Sequence, residues 1–504
     1  MTGVVDLRLV PAALTAWLVT AAGITWGTGP VLSVVFVAVA VLWWLAGRCL
    51  GGRVPGLLAA VAGVAGVAAV GAGFGLAAGL RSDAALQHPL TRLVGATVEV
   101  TVTPTESPRA VGGGRLVFPA DLVDAGAGGT GGRVVVFGSA HEFAGLTAGR
   151  PARFRARVAS PRRRDLTVSA LTATSRPEFG QASAVQRAAA VVRDRLASAA
   201  REVLPTEQSA LLPGLVLGDT SAIPAAVVAQ FRTAGLTHLT AVSGANVTIV
   251  CGAVLLSAAL IGPRAAAALA AVALLAFVVV VQPSASVLRA AVMGSVALVA
   301  VFSARRRHAI PALSATVIVL MLTAPQLSVD IGFALSVSAT AALALLAPVW
   351  SARLVDRGWP KPIADAVALA TAAQLVTAPL IAAISGKFSL VAVLANICVA
   401  PVIPPITLLG TAAAVLCPVW PAAAGLLLRF TGPELWWLLT VARTAGSIPG
   451  AAVPVPAGWA GLLVVGASVA VSVLLWRHRW FRWVAGGAGL CAVAWSLSGL
   501  VGAT

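Results

Sequence analysis

The sequence predicts a polytopic α-helical membrane protein with about 11–13 spanning helices and one small all-β, OB-like extramembrane domain near its N-terminus. Three observations predict it. Of 504 residues, 59% are hydrophobic and only 10% charged, where a soluble domain carries roughly 25% charge. Apolar runs long enough to cross a bilayer recur along the chain, separated by short arginine-bearing loops. One stretch, residues 81–205, is long and polar enough to fold in water.

The first three apolar runs, 10–27, 30–46 and 56–80, form a spanning domain over 1–80. Arg48 and Arg53 lie between the second and third, and positive loops mark the cytoplasmic side. The N-terminus is therefore expected in the cytoplasm of a multi-pass cell-membrane protein, with residues 81–205 outside. The first run is not expected to be a cleaved signal, because two spans follow closely without a convincing small-residue cleavage site.

Within 81–180, five short segments alternate in the manner of strands: Thr97–Thr103, Arg115–Leu122, Arg133–Phe137, Arg153–Val158 and Leu166–Leu171. Glycine-rich turns separate them, and five such strands suit a small OB-type barrel. Residues 185–204 then change to a helical period, with Val185, Ala189, Val192, Leu196, Ala199 and Val203 on one face. Interfacial helices are expected over 181–238, one starting at a Thr206 cap after Pro205 and another running from Pro224 to Gly235.

From 239 to 504 a second membrane domain follows, with spans near 239–261, 265–282, 286–303, 309–323, 330–350, 364–384, 389–416, 432–448, 459–476 and 483–501. The loops at Arg264, Arg305–Arg307, Arg353–Lys361 and Arg477–Arg482 then all fall inside, and Lys387 is the exception. Pro401, Pro404 and Pro405 interrupt one span, which is tolerated only where protein or a water-filled cavity satisfies the freed backbone. Much of the net charge of +18 is explained by these loop arginines, so basicity alone says little about nucleic acid.

Two groups of residues are candidates for function. Arg153, Arg155 and Arg157 would share one face of a strand, followed by Arg162, Arg163 and Arg164, and could track a phosphate backbone. A solvated face or attraction to anionic lipid headgroups is an even alternative. The second group lies in Leu217-Gly218-Asp219 and in Gly235-Leu236-Thr237-His238-Leu239-Thr240-Ala241-Val242-Ser243-Gly244-Ala245-Asn246. A helix running through 238–246 would gather His238, Ser243 and Asn246 within an arc of about 140°, facing a cavity or a partner helix. Packing through Gly244 and Ala245, interhelical hydrogen bonding, and a turn-capping role for Asp219 are the structural alternatives. The five cysteines show no CxxC pattern and the five histidines are scattered, so no metal or other cofactor is expected.

These segments resemble the signature of the ComEC-type competence family. The likeness extends through Pro283-Ser284-Ala285-Ser286-Val287-Leu288-Arg289-Ala290, Asp330-Ile331-Gly332-Phe333 and Leu394-Ala395-Asn396. It implies a non-enzymatic membrane channel for uptake of single-stranded DNA during natural transformation, with Asp219, His238, Ser243, Gly244, Asn246, Arg289, Asp330 and Asn396 as channel or motif residues. Arg289 and Asp330 would line or brace the path, or form a mutual ion pair. Many members add a C-terminal metallo-β-lactamase-like domain; this sequence stops at Thr504, and no phosphate-binding loop occurs in it. The expected partners are therefore single-stranded DNA, membrane lipid, and a separate DNA receptor, nuclease and ATP-driven cytoplasmic motor. A transporter of another polymer or solute, and a non-catalytic scaffold, are the competing classes.

Overall fold

The computed structural model describes residues 6–50, 57–106, 108–126, 129–240, 244–281, 285–302, 309–475, 477–478, 480 and 483. Ser243, the Pro283-Ser284 pair, the Arg305–Arg307 loop and nearly all of the span expected at 483–501 lie outside the described residues. The chain divides into two compact units: Met1–Asp194 with Val247–Ala334, and Arg195–Asn246 with Leu335–Thr504.

Three apolar helices open the chain: α1 (Val10–Trp26), α2 (Gly29–Leu50) and α3 (Leu57–Leu86). Glycine sets how closely α2 and α3 approach. A Cβ on Gly29 would stand 2.6 Å from the Gly75 carbonyl oxygen, and one on Gly75 would stand 2.8 Å from that of Gly29. In lipid, where apolar side chains gain nothing by leaving the solvent, such backbone contact is a main source of helix association.

A 3-10 turn, Pro89–Leu93, leads into β1 (Thr97–Pro104), β2 (Arg109–Gly112), β3 (Arg115–Asp124), β4 (Arg133–Ser139), β5 (Ala152–Ala159), β6 (Thr167–Ala173) and β7 (Glu178–Phe179). Five of these close a barrel in the order β1-β3-β4-β6-β5 and back to β1. Within this ring β4–β6 is the parallel pairing, and the other four are antiparallel. That order and that parallel pair suit the Greek-key barrel of the OB type. The alternating residues fill the interior, with Val100, Val102, Phe118, Val134, Val136, Phe154 and Leu171 all buried. Phe143 plugs the core, its ring edge-on to Phe154 at 5.3 Å between centroids. All five expected strands are present; β2 and β7 are additions, too short to show a period.

α4 (Ala184–Val203), α5 (Thr206–Leu217) and α6 (Ala225–Thr233) follow. Thr206 is the first residue of α5 rather than its cap; Pro205 occupies the cap position, with no side-chain hydrogen bond. The remaining helices are α7 (Gly244–Ser257), α8 (Pro263–Val281), α9 (Ala285–Phe302), α10 (Ala309–Thr323), α11 (Ile331–Leu345), α12 (Ala347–Val355) and α13 (Lys361–Ser385). After them come α14 (Ala392–Val399), α15 (Ile403–Leu416), α16 (Pro421–Phe430), α17 (Gly432–Ser447) and α18 (Gly458–Leu475). Strands β8 (Lys387–Ser389) and β9 (Ala452–Pro454) pair antiparallel, so the exceptional Lys387 lies on a two-stranded sheet.

Among the described residues, six helical segments are long and apolar enough to cross a membrane, and a bent pair makes a seventh. Helices occupy most of the other expected spans but are shorter. α1, α7 and α10 have 17, 14 and 15 residues. α17 carries Glu434 and Arg443 within its 16 residues, which sets it apart from the lipid-type spans. The expected span at 389–416 is two helices, α14 and α15, bent by 52°.

Candidate functional site

The arginine strand is built as its alternation requires. Along β5, Arg153, Arg155 and Arg157 are exposed while Ala152, Phe154, Ala156 and Val158 are buried. The three guanidiniums are not equivalent. Arg153 Nε donates to Glu99 Oε1 at 2.8 Å, and this hydrogen bond, then the carboxylate charge, raises its pKa further above the usual arginine value. Glu99 sits directly opposite Arg155 in the register, whereas Arg157 faces Thr97 and Thr172. Positive charge is thus least compensated toward the C-terminal end of β5. There the chain enters the β5–β6 loop, where Arg162, Arg163 and Arg164 are all exposed. This loop corresponds to the one between the fourth and fifth barrel strands, a usual oligonucleotide contact of OB folds. Aromatic platforms are few: Phe118, Phe143 and Phe154 belong to the core, while Phe137 lies half-buried beneath Arg115, 5.9 Å from its ring centroid.

The motif region of the second unit is a junction of helix ends. α5 stops at Gly218, in the left-handed conformation with φ 79°. Asp219 Oδ1 then accepts from Ser221 N at 3.1 Å and Ser221 Oγ at 2.6 Å, closing a local turn. α6 ends before Gly235, whose φ is +73°, and a Cβ there would meet the Ala392 Cβ at 2.4 Å. Ser389 Oγ donates to the Thr233 carbonyl at 2.8 Å, capping α6 from β8. His238 lies on a 3-10 turn, Thr237–Leu239, and α7 is described from Gly244, residues 241–243 lying outside the described residues. His238 is therefore on a 3-10 turn rather than an α-helix, and Ser243, a member of the expected polar stripe, lies outside the described residues. Asn246, buried in the first turn of α7, turns back and donates from Nδ2 to the Leu215 carbonyl at 2.7 Å.

The proline break is satisfied in a related way. α14 ends at Val399; Pro404 and Pro405 fall in the first turn of α15, where missing N–H groups cost nothing. Val402 N donates to Val399 O at 3.1 Å, a 3-10 contact that leaves the Cys398 carbonyl without its helical partner. Trp437 Nε1 supplies the bond at 2.9 Å. Protein thus meets part of the need for which a hydrated cavity was one expected solution.

The other candidates are separate. Arg289 is buried on α9, with Nη1 3.1 Å from Met293 Sδ. Asp330 Oδ1 accepts from Phe333 N at 2.6 Å, three residues on, as an N-cap of α11 does. Ion pairs among the described residues include Arg109–Glu106, Arg153–Glu99, Lys361–Asp365 and Arg443–Glu207. Asn396 Nδ2 donates to the Ala392 carbonyl at 2.8 Å, within its own helix. The sequence reading missed the long-range donors altogether: Trp437, Ser389, and in the first unit Trp17 to Ser328 O, Arg81 to Leu322 O and Arg193 to Val280 O. Tryptophan and arginine near a helix end in an apolar chain was the available signal.

Six or more helices long and apolar enough to cross a membrane, in a chain that also carries a small closed barrel, define a multi-pass membrane protein with an OB-like accessory domain. The chain belongs to the Competence protein family, whose model matches residues 215–480, over half of its 504 residues. No curated protein and no solved structure matches it.

Proposed function

We propose that this protein is the channel that passes one DNA strand across the cytoplasmic membrane during natural transformation, with the receptor, nuclease and ATP-driven motor supplied by other proteins. The observation that carries the reading is the Competence match, which covers the junction of broken helices from α5 to α17. Two features support it. Half-helices and irregular backbone persist at membrane depth where they surround a translocation path rather than lipid. The barrel carries a row of arginines on its outer face, of the kind that tracks a phosphate backbone without regard to sequence.

Sidedness is consistent with this arrangement. Arg81, just before the barrel, reaches the C-terminal end of α10, and Arg193, just after it, reaches that of α8. Both ends would lie on the barrel's side with α9 and α10 each crossing the membrane, which supports the expected sidedness. The proposal is tested by deleting the gene and measuring labelled DNA that reaches the cytoplasm, with surface-bound DNA scored separately. Loss of entry with retained surface binding is expected; undiminished entry refutes the channel.

A further inference from the structure

A second site lies in the second unit, between the start of α5 and α17. It is a cleft of about 340 Å³, within the size range of small-molecule sites. Its walls carry Glu207 and Gln208 from α5 and Trp436, Thr440 and Arg443 from α17. Arg443 Nη2 meets Glu207 Oε2 at 2.7 Å across it, with the two side chains 57% and 49% exposed. This is the one hydrogen bond of either side chain among the described residues, so the remaining guanidinium N–H groups and the second carboxylate oxygen are open to a ligand.

Two further features bear on what the cleft could hold. α5 begins at Thr206 after Pro205, a cap residue with no side-chain hydrogen bond, so the amide groups of its first turn keep their donors, which suits an anion. Trp436 is 57% exposed beside them, an indole of the type that settles at a membrane interface.

We infer that this cleft binds the zwitterionic headgroup of an aminophospholipid. Its ammonium would donate to Glu207, its phosphate would accept from Arg443, Thr440 and the first turn of α5, and Trp436 would pack on the glycerol region. A strand of nucleic acid fits less well, because each phosphate brought to Arg443 also meets Glu207. An anionic headgroup without an amine leaves the Glu207 carboxylate unmet.

The test is native mass spectrometry of the delipidated full-length protein, offered phosphatidylethanolamine, phosphatidylcholine or phosphatidylglycerol of matched acyl chains. Phosphatidylethanolamine should be retained about tenfold over phosphatidylglycerol, and above phosphatidylcholine, whose ammonium has no N–H. Glu207→Gln and Arg443→Gln should each reduce that preference about tenfold. Equal retention of the lipids by the wild-type protein, a measurement that needs no variant, overturns the inference. So does unchanged preference in folded variants. Displacement of bound lipid by a single-stranded oligonucleotide but not by glycerophosphoethanolamine would assign the cleft to nucleic acid instead, and also overturn it.

Discussion

Asn246 Nδ2 donates to the carbonyl of Leu215 across 2.7 Å, joining the first turn of α7 to the last turn of α5. Both partners are buried, and Leu215 is among the last four residues of its helix, whose carbonyls have no partner within α5. The bond therefore holds two broken elements together where no water is at hand to replace it. Asn246→Ala should destabilise the detergent-solubilised protein by about 1 kcal/mol. Asn246→Asp should cost more, since a carboxylate cannot donate and its charge would be buried. Thermal unfolding of the three proteins checks this, and an Asp variant as stable as the wild type would show that the bond does not matter.

Trp437 does the same for the proline break, satisfying the Cys398 carbonyl from α17. Trp437→Phe preserves most of the ring while deleting the donor, and should cost about 1 kcal/mol. Trp436, its exposed neighbour, makes no side-chain hydrogen bond among the described residues, so Trp436→Phe is the matched control. Equal stability of the two variants in the same unfolding assay would remove the case for a capping indole.

Gly235 must turn left-handed and let Ala392 approach. Gly235→Ala incurs about 1–2 kcal/mol for the positive φ, together with the overlap of its Cβ on that of Ala392. Adding Ala392→Gly should return the second part and not the first. The double variant is therefore expected to unfold between the single Gly235→Ala protein and the wild type; full recovery would mean that the backbone conformation costs nothing.

The barrel was legible in the sequence because strands such as β3, β4 and β5 alternate buried apolar residues with more exposed ones. The break at Pro401 was legible from chemistry alone, since proline lacks the N–H that Ile397 would need. What closes the break was not legible, because Trp437 lies 39 residues from Cys398 and Asn246 lies 31 from Leu215. The helix expected through 238–246 differs at its start, where Thr240 Oγ1 donates to the Thr237 carbonyl at 2.8 Å in a 3-10 turn. Asp330 could have been placed from sequence. An Asp just before an apolar run, with a backbone N–H three residues on, is the N-cap pattern.

The last prediction concerns the arginines of β5. If they guide DNA by neutralising phosphates, removing them one at a time should reveal the asymmetry imposed by Glu99. Arg157→Gln should flatten the dependence of single-strand binding on salt by roughly 0.7 in the logarithmic slope, the value for one lost phosphate contact. Arg153→Gln should change it less, because Arg153 is already paired with Glu99 at 2.8 Å. Glu99→Gln should do the reverse and strengthen binding, by releasing Arg153 and relieving the carboxylate opposite Arg155. These measurements use the full-length protein in nanodiscs of neutral lipid, with oligonucleotides of several sequences, because a backbone contact carries no sequence preference. Attraction to anionic lipid predicts a different pattern: the three variants would change affinity for anionic vesicles and leave the DNA affinity and its salt slope at wild-type values. That pattern would remove β5 as a DNA guide. It would leave the proposal for the membrane domain standing, since that rests on the Competence match over 215–480 and not on the barrel.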